Sequence, residues 1–154
     1  MEVNVGNYDS MLVASVRHTG PYAECCSAWA ALCGNERVRA TFGSDTQMVG
    51  VSYDDPDVTE AEKIRYDACA TIREEQDFGG GVVTQTIAGG QYAVAIHEGS
   101  FDGLAASYKY LYGQWLPSSG YEPAMAPCLE IYLTDPETTP PEELRTEIRI
   151  PLKS

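Results

Sequence analysis

Val13-Ala14-Ser15-Val16-Arg17-His18-Thr19-Gly20-Pro21-Tyr22 returns 79 residues later as Tyr92-Ala93-Val94-Ala95-Ile96-His97-Glu98-Gly99-Ser100-Phe101. The overlay pairs His18 with His97, Gly20 with Gly99 and Tyr22 with Phe101, and the same shift carries Trp29 onto Tyr108 and Leu32 onto Leu111. Further along, a shift of 80 lays Met48 to Pro56 over Cys128 to Pro136, and Asp67 to Ile72 over Glu147 to Leu152. Any one match is cheap, but a near-constant offset through three blocks is the signature of a duplicated structural unit.

Each copy reads as two strands, a helix and two more strands. In the first, alternation and β-branched residues predict strands near 2–6, 11–18, 47–53 and 64–72. The helix between them runs from Pro21, suited to a first turn, to a Gly34-Asn35 cap. In the second copy strands are predicted near 82–87, 91–97, 128–134 and 145–151, with Ala88-Gly89-Gly90 as a tight-turn signal between the first two. The second helix is predicted from Phe101 to Trp115, ended by Leu116-Pro117. Glu74 to Gly81, acidic and then glycine-rich, reads as a short linker between halves. The expected architecture is one α+β domain over 1–154, with pseudo-repeats 1–75 and 82–154. Its duplicated ββαββ halves form one curved antiparallel sheet of about eight strands, with two helices and a central cleft.

Composition narrows the function. The formal net charge is -13, and no basic stripe interrupts it, so direct binding of a phosphate backbone is disfavoured. Five cysteines without CxxC spacing and only two histidines fit neither a disulfide framework nor a metal site, and no cofactor motif stands out. His18 and His97 close equivalent strands and read as caps for local backbone groups. The start Met1-Glu2-Val3-Asn4-Val5 lacks the features of a secretion signal, and no eighteen-residue apolar run occurs. A soluble, cytoplasmic protein is expected.

One residue breaks the apolar pattern. Glu130 lies inside Pro127-Cys128-Leu129-Glu130-Ile131-Tyr132-Leu133, a run that reads as a strand buried on at least one face. A buried carboxylate needs a partner: a cation from outside, a side chain such as Arg65, or tyrosine hydroxyls. The repeat supplies a control, since the residue equivalent to Glu130 is Gly50. The fold does not ask for an acid there, and a glycine opposite leaves room for a ligand.

Aromatic residues are the natural walls for a cation. Tyr132 shares the face of Glu130 if the strand alternates. Tyr108 and Trp115 recur with Tyr112 along one side of the second helix, Trp29 is the repeat mate of Tyr108, and Tyr66 and Tyr92 fall on strands. The candidate ligand-binding set is therefore Glu130, Tyr132, Tyr66, Tyr92, Tyr108, Trp115, Trp29 and Gly50.

Several of these stretches together resemble a known family. Arg17 to Tyr22, Gly50 to Pro56, Arg65 to Cys69, Gly89 to Val94, Trp115 to Tyr121, Pro127 to Tyr132 and Asp135-Pro136 are similar to GyrI-like small-molecule-binding domains. That domain is also the effector-binding half of AraC-type and MerR-type multidrug-sensing regulators. The resemblance implies duplicated halves about a cleft and, in members that sense lipophilic cations, a glutamate at the position of Glu130 within an aromatic pocket. No helix-turn-helix segment is legible, so a stand-alone module for hydrophobic cationic small molecules is expected. The family leaves two alternatives open. One is a hydrolase of electrophilic cyclopropane-containing toxins using the same glutamate; the other is an acidic inhibitor that engages gyrase, or a transcription factor, as a protein partner.

Overall fold

The computed structural model describes residues 1–153. Its eight strands belong to one open antiparallel sheet, the α+β class expected from the repeat. They are β1 (Val3–Tyr8), β2 (Met11–Thr19), β3 (Met48–Ser52), β4 (Arg65–Thr71), β5 (Val83–Ile87), β6 (Gly90–Glu98), β7 (Cys128–Tyr132) and β8 (Arg145–Pro151). Among the described residues no helix is long and apolar enough to cross a membrane.

Two compact units emerge: Asp9–Gly89, and Met1–Tyr8 with Gly90–Ser154. In the first the strands run β3-β4-β2-β5, and in the second β1-β6-β8-β7. The Ala88-Gly89-Gly90 stretch thus closes no hairpin between β5 and β6. β5 pairs with β2 and β6 pairs with β1, so each unit takes its edge strand from the other sequence half. A turn signal reports local backbone geometry; the partner of each strand is chosen by side-chain burial.

The first unit carries α1 (Cys26–Cys33) and α2 (Glu36–Arg39). Leu32 and Val38 pack onto Ala14, Ala68 and Ala70, whose small side chains let the helices lie close to the strands. Gly34 ends α1 as expected, but for a different reason. Its φ of -80° is open to any residue; a Cβ there would lie 2.7 Å from the Ala30 carbonyl oxygen. The predicted linker is anchored too. Phe78 is buried in this core, and Asn35 both caps α2 by accepting from the Val38 N–H and donates to the Phe78 carbonyl at 3.0 Å.

The second unit carries a longer helix: α3 (Leu104–Tyr110), a wide π turn over Leu111–Trp115, and α4 (Leu116–Ser119). It passes through Pro117, where the sequence suggested a stop, and ends at Gly120 with φ of 81°. The Leu116 N–H bonds the carbonyl of Leu111, five residues back, in the turn just before Pro117. Widening the ladder where the next residue has no N–H to donate lets the helix continue. Leu111, Leu116, Ile148 and Ile150 form the core over Ala93 and Ala95.

The duplication is written into backbone bonds as well as side chains. Gly20 N–H reaches the Ile64 carbonyl at 2.7 Å and Gly99 N–H the Leu144 carbonyl at 2.8 Å. His18 Nε2 lies 3.0 Å from the Pro21 oxygen and His97 Nε2 2.9 Å from that of Ser100.

Candidate functional site

β7 places Glu130 on the helix side of its strand, directly across from Ile148 of β8. Only 8% of the residue is exposed. Tyr108, from α3, donates its hydroxyl to Glu130 Oε2 at 2.7 Å, and Tyr132, two residues along β7, donates to Oε1 at 2.8 Å. Among the described residues no lysine or arginine pairs with this carboxylate. Arg65, the cation the sequence offered, is bound to Asp54 at 3.0 Å instead. Burial pushes the Glu130 carboxyl above the ordinary glutamate range; the two phenols and the nearby His97 pull it back without cancelling that push. The same burial, reinforced by Glu130, lifts the Tyr108 hydroxyl well above its usual value, so it stays protonated and a donor.

The walls are aromatic and soft. Phe101 meets Tyr132 edge to face, with ring centroids 5.8 Å apart. Cys128, in the same strand, lies 2.9 Å from the Tyr112 hydroxyl, and burial raises its thiol. His97 sits nearby, its Nδ1 2.7 Å from the Ser107 hydroxyl.

The other candidates have other neighbours. Trp115 stacks on Tyr121 with ring centroids 6.2 Å apart and packs, like Tyr108, against the core of the second unit. Tyr92 alternates away from Ala93 and Ala95 to the opposite face, where it meets Tyr8 edge-on. Trp29 and Tyr66 belong to the first unit, where the indole N–H donates to the Tyr66 hydroxyl at 3.2 Å. Gly50 is buried in β3, across from Ala68. Phe101 was visible only as the repeat mate of Tyr22, and its contact with Tyr132 had no signal in the chain.

A second buried acid was missed altogether. Asp67, 2% exposed on β4, receives Arg17, the Tyr53 hydroxyl at 2.7 Å and Gln85 at 3.0 Å. Desolvation works to raise its carboxyl, yet these donors outweigh it and hold the group below the ordinary aspartate range. In return burial and Asp67 push the Tyr53 hydroxyl up to about 12. This acid is paired with an arginine; among the described residues no lysine or arginine pairs with Glu130.

A polar cavity of about 240 Å³ lined by Thr41, Gln47, Thr71 and Arg73 lies in the first unit and includes none of the candidate residues. Among the described residues no cluster of histidine, cysteine and acidic side chains could hold a metal. The Glu130 site can therefore do what a buried acid among rings does: attract positive charge in an apolar setting.

Known proteins agree with the architecture. A probable transcriptional regulator, YgiV of Escherichia coli (strain K12), is 30% identical over 154 residues, covering 99% of this chain and 96% of that protein. The crystal structure of the EcmrR C-terminal domain superposes with a TM-score of 0.84 at 20% identity, covering 99% of this chain and 98% of that one. SAV2435, in a structure bound to tetraphenylphosphonium, superposes at 0.67 with 19% identity, covering 100% and 95%. The family model for the GyrI-like small molecule binding domain matches residues 1–153. With its duplicated halves and its match running through both of them, the chain belongs to the GyrI-like small-molecule-binding domains.

Proposed function

We propose that the Glu130 site binds hydrophobic cationic small molecules, with Glu130 as counter-ion and Tyr108, Tyr132 and Phe101 as aromatic walls. One observation carries this reading: a carboxylate 8% exposed whose hydrogen-bond partners are two phenols, with no lysine or arginine paired to it among the described residues. Phenols satisfy the oxygens but leave the charge uncompensated, and a ligand cation supplies what they lack. The ring faces add attraction of roughly 0.5 to 2 kcal/mol per good contact. SAV2435, which shares the fold and holds a lipophilic cation in its structure, supports the choice of ligand class.

Both Glu130 oxygens accept from tyrosine hydroxyls, which supports a positioned counter-ion over a free general base. Isothermal titration with a quaternary ammonium dye and its neutral carbon isostere tests the reading. The cation binds at least about tenfold more tightly; equal affinities would overturn it.

A further inference from the structure

The two units solve one packing problem in opposite ways. In the first, Ser52 of β3 faces Tyr66 of β4; in the second, the equivalent pair is Tyr132 of β7 facing Thr146 of β8. The ring has changed strands. Tyr66 packs edge-on against Tyr22, and its hydroxyl accepts from Trp29. Tyr132 packs edge-on against Phe101, the repeat mate of Tyr22, and its hydroxyl serves Glu130 instead. The exchange leaves Thr146, fully buried, with a hydroxyl that has no hydrogen-bond partner among the described residues.

Register shows where Thr146 lies. Thr146 sits between His97 on β6 and Tyr132 on β7, and its strand neighbour Ile148 is directly across from Glu130. It is therefore the diagonal cross-strand neighbour of Glu130 on the helix face, at a separation of about 7–8 Å, the Cβ atoms lying somewhat closer. A single head group with two N–H bonds spans that gap, donating one to the carboxylate and one to the hydroxyl. A buried hydroxyl left unpaired costs free energy that such a ligand recovers.

We propose that Thr146 is a specificity-determining ligand contact, selecting primary or secondary ammonium ions on an apolar body over quaternary cations that offer no N–H. This rests on the reading of Glu130 as counter-ion and names the head group it prefers.

The test measures affinities of biphenyl-4-ylmethylammonium and its N-trimethyl counterpart for wild type, Thr146→Val, Thr146→Ser and Glu130→Gln. Wild type prefers the primary ammonium. Thr146→Val weakens that probe about 5- to 10-fold and the trimethyl probe less than about twofold, while Thr146→Ser keeps the preference. An unchanged affinity of Thr146→Val for the primary ammonium, or an equal loss for both probes, overturns the proposal. A second readout needs no ligand: Thr146→Val raises the melting temperature of the empty protein, and a fall would show that the hydroxyl is already satisfied, overturning it too. Glu130→Gln weakens both probes. If it weakens neither, the counter-ion reading itself fails, an outcome distinct from failure at Thr146.

Discussion

Tyr108 donates its hydroxyl to Glu130 at 2.7 Å, yet the carboxyl it serves still titrates above the ordinary glutamate value. A helix side chain and a strand side chain meet there over an acid that neither neutralises. Burial outweighs the two phenols and His97, so the site favours the protonated acid more than water does.

That preference has a pH signature. A carboxyl whose folded pKa is raised binds its proton more tightly in the folded state, so its favourable contribution is complete below the unfolded value near 4.5. It is lost as pH rises through the folded pKa. Urea unfolding of the empty protein from pH 4 to pH 8 therefore shows Glu130→Gln gaining on wild type as pH rises, then holding a constant lead. A lead that does not change with pH contradicts this account.

Asp67 carries the opposite sign. Its carboxyl lies below the ordinary value of 3.8, so its contribution is complete above that pH and lost as pH falls through the folded pKa. Asp67→Asn destabilises the protein by about 2 kcal/mol at neutral pH, the scale of hydrogen bonds to a charged group, because Arg17 loses its counter-charge and one acceptor oxygen becomes an NH2 donor. The difference from wild type shrinks in acid; a difference that grows there excludes the assignment.

Phe78 tests whether the acidic, glycine-rich stretch is anchored. Phe78→Ala opens the core of the first unit and costs about 3–5 kcal/mol by denaturant unfolding. A loss below about 1 kcal/mol would mean the segment is the loose linker its composition suggests.

Gly34→Ala separates space from conformation. The backbone there suits alanine, but its Cβ meets the Ala30 carbonyl at 2.7 Å, so the substitution destabilises by about 1–3 kcal/mol. A stabilising effect, the usual result of Gly→Ala at a compatible φ, would show that the helix end relaxes freely.

What could be read from the chain was whatever repeats or breaks a pattern. The offset gave the eight strands and two helices, and Glu130 stood out against Leu129 and Ile131. Pairing was not legible. Nothing in Ala88-Gly89-Gly90 says that β5 and β6 pair with other strands, since turn chemistry is local and pairing is not. The exchange of Tyr66 and Ser52 for Thr146 and Tyr132 needs cross-strand register before it means anything. Asp67 hid because its donors, Arg17, Tyr53 and Gln85, come from three other stretches of chain. The π turn over Leu111–Trp115 is likewise not foreseen by helical spacing.

The central claim, that Glu130 is the counter-ion for a bound cation, is tested most directly by titrating one lipophilic cation into wild type and Glu130→Gln at neutral pH. The account predicts a loss of at least about 30-fold in affinity, near 2 kcal/mol, with the variant as stable as wild type or more so. Equal affinity for the two proteins would contradict it.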